Sequence, residues 1–413
     1  MLENTQIEGY APSTFSNRRL PELQEWCLQP AEGILGIRAL GDNGHISVFS
    51  LFIPTLILSA NRLARTYKAS TTSQSQVCSW NCIAIQGTEV QAFAMTSKDS
   101  IIIFGPTGHV GSSVARAAHQ QGAKVYLAMR DPQKAIPGLS FNQEQEGGFK
   151  RVYADLTKPD TLHNAVIATA AKRAFIYLIF GTSDYMKSSI MAIKSAGVDL
   201  VVFLSSHTVP DNMESISPSN FIAWGHGQVE IIPDEVFGPD NYVAVRPGSF
   251  ASNSLRWKKM VMGGEVKIAY PEALFDWISP GDIGRVCGRL VAEGPQAVDR
   301  KAGKNVVRLC GPEVMSQRDA IDTIGRVIGQ DIKVTQLDEQ EGVEFFMKSA
   351  HLPESAARQL VQMLKKRVEG GKSDGGYEGL RYEEAVANIQ KYGGRRPTSF
   401  HQWVEENKGE FSA

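Results

Sequence analysis

The sequence predicts an α/β fold built on a doubly wound parallel sheet, and the strongest observation is a glycine motif with apolar runs on both sides. The run 101–104 leads directly into the pattern Gly105-x-x-Gly108-x-x-Gly111, and a helical pattern over 112–121 and a second apolar run follow. Strand, glycine turn, helix and strand in this order form the unit that binds a pyrophosphate at a helix N-terminus. A glycine triplet alone is weak evidence for nucleotide binding. Here the strand before it and the helix after it supply the structural context that supports this assignment. The predicted architecture is therefore Rossmann-like.

The chain up to residue 250 alternates apolar runs with helical patterns. Six strands are predicted, at residues 100–104, 124–129, 150–153, 174–180, 199–204 and 242–246. Such alternation gives a parallel sheet with right-handed crossovers. Residues 138–149 are rich in glycine and are predicted to form a surface loop.

Beyond residue 250 the pattern is shorter and mixed, which predicts a small C-terminal region that covers the substrate. Helices are predicted near 282–293, 316–328, 353–369 and 380–391. In the third of these, one helical face carries Ala357, Leu360, Val361 and Leu364, which is more typical of a helix packed on a core than of a cofactor contact. Residues 98–413 are thus expected to form one cofactor-binding domain, with 98–250 as its core and 251–413 mostly as its substrate-covering region.

The glycine motif assigns cofactor-binding residues by their physical roles. Gly105 would permit the tight turn, Gly108 would let the backbone approach the phosphates, and Gly111 would let the helix pack close to the strand. The neighbouring residues expected to contact the cofactor are Thr107, His109 and Val110.

The end of the second strand indicates which dinucleotide is bound. An NAD site usually has Asp or Glu there, which accepts a hydrogen bond from the ribose 2′-hydroxyl. This chain has Arg130 and then Asp131, and Lys134 adds positive charge nearby. An arginine fork suits a phosphate, so the prediction is NADP(H). In the alternative, Arg130 is a solvated turn residue and Asp131 binds the ribose. Asp155, after the third strand, would lie near the adenine or cap the next helix.

The composition of the chain argues against nucleic-acid binding and against a metal site. The chain has 413 residues and a formal net charge of −1. Nucleic acid is therefore not expected as a partner, because phosphate backbones need a basic surface. The five cysteines show neither a disulfide framework nor zinc-ligand spacing, and no metal site is predicted. Free thiols are typical of a reducing compartment, which predicts a cytoplasmic protein.

Residues 1–97 differ from the rest and are expected to form a poorly defined, partly disordered N-terminal extension. Their apolar stretch 46–60 is shorter than the roughly 20 residues that a spanning helix needs, and it contains Pro54. A firm membrane anchor is not predicted, and a surface anchor is a less favoured alternative to a buried or poorly ordered segment. Residues 1–94 are hypothesised to be a dispensable extension or to come from an incorrect start site, because a chain starting at Met95 would enter the first strand within a few residues.

Several short motifs together resemble the NmrA-like family of atypical short-chain dehydrogenases, over roughly residues 98–412. They are Gly105-Pro-Thr-Gly-His-Val-Gly111, Met129-Arg-Asp-Pro132, Ala154-Asp-Leu156, Phe203-Leu-Ser-Ser206, Val245-Arg-Pro-Gly-Ser-Phe-Ala-Ser-Asn253, Ile278-Ser-Pro-Gly-Asp-Ile-Gly284 and Phe400-His-Gln-Trp403. The resemblance implies an NADP-binding domain with a small C-terminal region. The family includes both reductases and non-catalytic redox-sensing regulators, and the chain is also similar to fungal members associated with secondary metabolism.

Residues at the ends of the fourth and sixth predicted strands are also expected to contact the cofactor. Phe180 and Gly181 end the fourth predicted strand, where the nicotinamide half would pass, and Pro247 would support the nicotinamide from the sixth. The resemblance also implies that Arg246 pairs with Asp282.

The catalytic group of short-chain dehydrogenases is missing. These enzymes use Tyr-x-x-x-Lys, in which Tyr donates a proton and Lys lowers its pKa. None of the eleven tyrosines is followed four residues later by Lys. By resemblance, His226 occupies the position of a lysine that reductases of the group carry, and an imidazole can donate a proton near neutral pH. In the alternative, His226 packs at the cleft wall or binds the nicotinamide ribose.

Two serines are further candidates for substrate contact. Ser205 and Ser206 follow the apolar run 201–204, so they face the ligand crevice of an open parallel sheet, where one could hydrogen-bond a substrate carbonyl. A turn or cap is the alternative. His207 beside them is a weaker candidate for proton donation than His226.

The favoured function is an NADP-dependent oxidoreductase that reduces a carbonyl or enone of a small, rather apolar metabolite, with secondary metabolism as the narrower expectation. The alternative is a non-catalytic NADP(H)-sensing regulator that binds a protein partner. The missing Tyr-x-x-x-Lys favours the regulator, and the histidine and serines at the cleft favour the enzyme. The sequence does not separate a reductase from a cofactor-assisted isomerase or cyclase.

Overall fold

The computed structural model describes residues 99–294, 297, 305–370 and 379–412, and three short strands nearer the N-terminus. The chain divides into two compact units, Met1–Ala92 and Phe93–Ala413. In the first unit, the strands form one antiparallel sheet in the order β1-β2-β3. They are β1 (Trp26–Leu28), β2 (Leu35–Ala39) and β3 (Ile46–Val48). Most of the apolar stretch 46–60 lies outside the described residues, and among those described no helix is long and apolar enough to cross a membrane.

The second unit is organised around a sheet of seven parallel strands. The strands are β4 (Ser100–Phe104), β5 (Lys124–Met129), β6 (Lys150–Tyr153), β7 (Arg173–Tyr177), β8 (Leu200–Leu204), β9 (Tyr242–Pro247) and β12 (Val306–Leu309). Their order across the sheet is β12-β9-β8-β7-β4-β5-β6, and every neighbouring pair is parallel. The chain therefore proceeds outward in both directions from β4, and the direction changes between β4 and β7. This confirms the predicted doubly wound Rossmann-like fold.

Helices cover both faces of this sheet because the strands are apolar on both sides. Ile101 and Ile103 of β4 pack with Val114 of α1 (His109–Gln120) in one core, whereas Ile102 packs with Leu162 of α3 (Pro159–Thr169) in the other. In the sequence between β4 and β12, the described part of the chain forms the α-helices α1 (His109–Gln120), α2 (Phe141–Glu146), α3 (Pro159–Thr169), α4 (Lys187–Ser195), α5 (Phe221–Phe237), α6 (Lys258–Met262) and α7 (Pro280–Glu293).

Three details of the sequence-based prediction are wrong. The fourth strand ends at Tyr177, so Phe180 and Gly181 lie in the turns after it, where Gly181 has φ +85°. Residues 138–149 hold α2, which begins at a capping box between Ser140 and Gln143. The seventh strand, β12, was not predicted because Arg308 interrupts its short apolar run.

Two glycines bring α1 and α7 into close contact, which fixes the helix that carries the glycine motif. A Cβ on Gly284 would lie 2.2 Å from Cβ of Ser113, and one on Gly288 would lie 2.5 Å from Cβ of Ala117. Only glycine permits this approach, and α7 therefore belongs to the layer against the main sheet, although it lies beyond residue 250.

The remaining elements build a separate core in the C-terminal region. They are β10 (Glu265–Ala269), β11 (Leu274–Phe275), β13 (Met315–Ser316), α8 (Gln317–Ile328), β14 (Lys333–Leu337), α9 (Glu339–Ala350), α10 (Glu354–Glu369), α11 (Gly379–Gly393) and α12 (Phe400–Glu406). β10 pairs with β14, and β11 pairs with β13. This core is rich in large rings, among them Trp257, Trp277 and Phe400, and Ala357, Val361 and Leu364 of α10 lie in it as predicted.

Candidate functional site

The glycine motif lies where β4 ends, at the carboxyl edge of the sheet and at the point where the strand order changes direction. Gly105 has φ +69°, and a Cβ there would lie 2.4 Å from the ring of Tyr177. A Cβ on Gly111 would lie 2.1 Å from the carbonyl oxygen of Gly105. Both positions therefore require glycine, and they hold the turn against the start of α1.

The start of α1 is open to a ligand. No side chain caps this helix at Gly108, and a Cβ on Gly108 would meet only the carbonyl oxygen of Gly105, at 3.6 Å. Gly108 and His109 are exposed and Thr107 is partly buried, whereas Val110 packs in the core and can offer only its backbone N–H. An uncapped helix N-terminus beside a glycine turn suits a pyrophosphate, so these residues fit the dinucleotide that the sequence predicts.

The residues after β5 form an exposed, positively charged turn. Arg130 and Lys134 are exposed, and across the segments that the structure describes Arg130 makes no hydrogen bond or salt bridge. Asp131 instead accepts a hydrogen bond from the N–H of Gln133 at 2.9 Å, so its carboxylate stabilises the turn in which it lies. This arrangement supports a 2′-phosphate on Arg130 more than a ribose on Asp131.

Arg151, which the sequence did not single out, holds this turn in place. Its guanidinium donates to the carbonyl oxygens of Pro132 at 2.5 Å and Lys134 at 2.9 Å. It also pairs with the buried carboxylate of Glu144 at 2.5 Å, and that hydrogen bond is the main reason why the pKa of Arg151 is raised. Glu144 belongs to α2, the helix within the expected surface loop.

Asp155 is held in the turn that precedes α3. Its carboxylate accepts hydrogen bonds from the N–H of Thr157 at 3.0 Å and from its hydroxyl at 2.8 Å. Partial burial acts to raise the pKa of Asp155, but the two Thr157 hydrogen bonds, with Lys158 and Arg130 nearby, bring it below its ordinary value. The geometry thus favours a turn-capping role over a contact with adenine.

Ser205 faces away from the crevice, contrary to its predicted role. Its hydroxyl donates to the carboxylate of Glu230, and both residues are buried. Glu230 also pairs with Arg246 through two hydrogen bonds, of 2.9 and 2.6 Å. The pairing of Arg246 with Asp282 is therefore wrong: Asp282 accepts from the N–H and hydroxyl of Thr398 at 2.7 and 2.9 Å.

Ser206 and His207 lie on the crevice side. The hydroxyl of Ser206 is 2.9 Å from that of Thr208 and accepts a longer hydrogen bond from the Thr208 N–H, at 3.2 Å. The N–H of His207 donates to the carbonyl oxygen of Pro247 at 2.8 Å, which fixes this loop to the end of β9. Both side chains line a cavity at the carboxyl edge.

His226 lies behind the crevice wall. Its ring is 5.9 Å from that of Phe180 and 6.1 Å from that of Phe203, measured between centroids, and no described residue hydrogen-bonds its Nδ1. Burial lowers the pKa of His226 to about 4. The imidazole is therefore neutral at physiological pH, which favours a packing role for His226 over proton donation.

The burial of His226 predicts a pH-dependent stability. The unfolded chain protonates this residue below about pH 6.5, and the folded chain only below about pH 4. The stability of the protein should therefore fall as the pH is lowered through this interval, by about 1.4 kcal/mol per unit from this group alone. Urea unfolding between pH 7 and pH 5 should show a shallower dependence in His226→Asn than in the wild type or in the exposed-site control His401→Asn. Equal slopes in all three would contradict this assignment.

The cavity has a volume of about 310 Å³ and is largely apolar. Ser206, His207 and Pro247 bring it to the strand ends, and Phe250, Trp257 and Phe346 form part of its wall. A wider groove of about 790 Å³ adjoins it, shares His207 and Thr208 with it, and includes Phe180, whose ring is 45% exposed and stacks on Phe221. No group of three or more side chains that could hold a metal ion occurs among the described residues.

The fold and the glycine turn at the switch point define a Rossmann-type protein with a ligand crevice at the carboxyl edge of its sheet. The sequence profile of the NmrA-like family matches residues 97–392. The chain therefore belongs to the NmrA-like family, which confirms the resemblance found in its motifs.

Known proteins to which this chain is similar include proteins named as regulators and a reductase. "Nitrogen metabolite regulation-like protein bik4" of Gibberella fujikuroi is 35% identical over 324 residues, which cover 74% of this chain and 95% of that protein. The structure of Citrobacter sp. triphenylmethane reductase in complex with NADP(H) matches with a TM-score of 0.54 and 16% identity, over 74% of this chain and 99% of that one. Nmra, described as a negative transcriptional regulator, matches with a TM-score of 0.52 and 16% identity, over 75% and 95% of the two chains. At these identities the two structures show a shared fold.

Proposed function

We propose that this chain is an NADP(H)-dependent oxidoreductase that reduces a carbonyl or enone of a small, largely apolar metabolite. The observation that carries the proposal is the apolar cavity at the carboxyl edge of the sheet, with Ser206 and Pro247 in its wall. A cavity of a few hundred cubic ångströms with a few polar groups is typical of a small-molecule site. A protein that only sensed the dinucleotide would not need such a cavity beside it.

The proposed cofactor contacts follow the geometry of the sheet edge. The backbone at Gly105, Gly108 and the start of α1 would hold the pyrophosphate, and Arg130 and Lys134 would hold the 2′-phosphate. Phe180, Gly181 and Pro247 would flank the nicotinamide. NADPH, when bound, supplies the hydride, and the protein supplies its placement.

The side chains beside Pro247 would act on the substrate oxygen. The Ser206 hydroxyl, supported by that of Thr208 at 2.9 Å, would donate a hydrogen bond to the carbonyl and stabilise the charge that develops on its oxygen. The proton that completes the alcohol would come from His207 or from water, because His207 lines the cavity and His226 does not. His226 and Ser205 would then support the site from behind, His226 through Phe180 and Ser205 through Glu230.

A non-catalytic regulator is the second candidate. The missing Tyr-x-x-x-Lys favours it, and so does the name of the Gibberella fujikuroi relative, which refers to regulation. In that case the dinucleotide would alter the binding of a protein partner, and the cavity would have no turnover.

The two candidates differ in substrate-dependent NADPH oxidation, measured by absorbance with a panel of aryl ketones, enones and quinones. We expect turnover with members of this panel, and Ser206→Ala should lower kcat by roughly 100-fold, as the loss of a donor to a developing oxyanion does. Binding of NADPH should be unchanged in that variant. Ser219→Ala, at an exposed position of the adjoining groove, is the matched control. Binding of NADPH without oxidation by any member would support the regulator.

A further inference from the structure

The cavity wall combines aromatic rings with positive charge, and none of its described residues is acidic. Its described lining includes Phe250, Trp257, Phe275, Trp277 and Phe346, and it contains no Asp or Glu. Two arginines, Arg256 and Arg367, lie in the same wall. A cation is rarely buried without a partner, since the loss of hydration must be offset by an opposite charge or by hydrogen bonds.

The two arginines differ in the hydrogen-bond partners of their guanidinium groups. The guanidinium of Arg367 donates to the carbonyl oxygen of Leu274 at 2.8 Å and lies 4.5 Å above the ring of Phe275. The guanidinium of Arg256 lies 5.7 Å from the centre of the Phe346 ring but makes no hydrogen bond or ion pair with any residue that the structure describes. Burial lowers the pKa of Arg256, yet a guanidinium remains charged in proteins. Arg256 therefore presents an unused cationic fork to the cavity.

The groove that adjoins the cavity is also positively charged. Its cationic lining residues are Arg308, Arg358, Lys366, Arg367 and Arg381, and its described lining contains no acidic residue. Nearby carboxylates neutralise part of this charge, because Asp211 pairs with Arg308 at 2.7 Å and with Arg381 at 3.2 Å, and Glu354 pairs with Arg358. Lys366 has no such partner among the described residues. The groove therefore carries more positive than negative charge, and such a surface raises the local concentration of anions.

We infer that the substrate of this cavity is an apolar carboxylic acid whose carboxylate pairs with the guanidinium of Arg256 while its reducible carbonyl lies at Ser206. This inference rests on the proposed reductase function and names its substrate class. A planar guanidinium fork matches a carboxylate through two parallel hydrogen bonds. A single fork within an aromatic wall suits one negative charge better than a phosphate dianion, which needs more donors.

The test uses a matched pair of probes, 4-benzoylbenzoate and its methyl ester, which share two rings and a ketone and differ in the charge. Binding to the full-length protein with NADP⁺ would be followed by calorimetry. The acid should bind about 10- to 100-fold more tightly than the ester, as a charge-assisted hydrogen bond predicts. Arg256→Met should remove this preference, and Arg256→Lys should retain part of it. The matched control Arg326→Gln, at an exposed arginine that lines neither the cavity nor the groove, should leave it unchanged.

The outcomes separate this inference from the proposed function. Equal binding of acid and ester, failure of both to bind, or a preference that survives in Arg256→Met would overturn the carboxylate site. Circular dichroism would show that the variants are folded. Tight binding of the acid that is lost in Arg256→Met, without NADPH oxidation, would retain the anion site and contradict the reductase.

Discussion

Replacement of Glu230 by Leu is expected to lower the free energy of unfolding by about 3–5 kcal/mol, because it removes the carboxylate that accepts two hydrogen bonds from the buried guanidinium of Arg246. The more exposed carboxylate of Asp211 then remains as the nearest ion-pair partner, at 3.7 Å. The side chains of Glu230 and Arg246 are almost fully buried and lie 2.6 Å apart. The Glu230 carboxylate also accepts the hydroxyl of Ser205, and Arg246 also donates to the carbonyl oxygens of Val209 at 3.2 Å and Pro210 at 3.3 Å. The loop that carries Ser206 and His207 is thus tied to this pair.

Urea unfolding of the variants measures this effect. Glu354→Gln, which breaks the exposed pair with Arg358, is the control and should change stability by no more than about 1 kcal/mol. The double variant Glu230→Leu/Arg246→Met should be more stable than Glu230→Leu alone, since no charge then remains buried. A Glu230→Leu protein as stable as the control would show that the pair does not hold the loop.

A Gly111→Ala variant is expected to bind NADPH at least about 10- to 100-fold more weakly, because each charge-assisted hydrogen bond from a backbone N–H contributes roughly 1.5–3 kcal/mol. The added Cβ would lie 2.1 Å from the carbonyl oxygen of Gly105, so the turn must move away from the start of α1. The measurement is a fluorescence titration with NADPH, with the free energy of unfolding determined in parallel.

Two other glycines separate binding from stability. A Cβ on Gly108 meets only the carbonyl oxygen of Gly105, at 3.6 Å, so Gly108→Ala should retain the stability of the wild type and lose affinity for NADPH. A Cβ on Gly409 meets nothing within 4 Å, and Gly409→Ala should change neither property. Wild-type affinity in both Gly111→Ala and Gly108→Ala would place the dinucleotide elsewhere.

The sequence predicts the sheet well because a buried parallel strand is a continuous apolar run. The six predicted strands occur in the structure, and the glycine motif joins β4 to α1 as its spacing indicates. The exceptions are short or irregular. β12 is a short apolar run that Arg308 interrupts, and the segment after Tyr177 remains apolar through Phe180 although the strand has ended.

The candidate site was harder to predict because partners depend on tertiary packing. Ser205 and Ser206 are adjacent in sequence, but one faces Glu230 and the other faces the cavity. Spacing also could not reveal that Arg246 pairs with Glu230. The sequence signal for Arg256 was only its place beside Trp257 and shortly after Phe250, and the adjacent Lys258 and Lys259 gave it the look of an ordinary charged surface.

The central claim is that the crevice binds a phosphorylated dinucleotide through Arg130. Titration of the full-length protein with NADPH and NADH, followed by fluorescence, tests it most directly. We expect NADPH to bind at least about 10-fold more tightly than NADH, as a charge-assisted contact to a phosphate predicts, and Arg130→Ala to remove the difference. Equal affinity for the two dinucleotides in the wild-type protein, or no binding of either, would contradict the account.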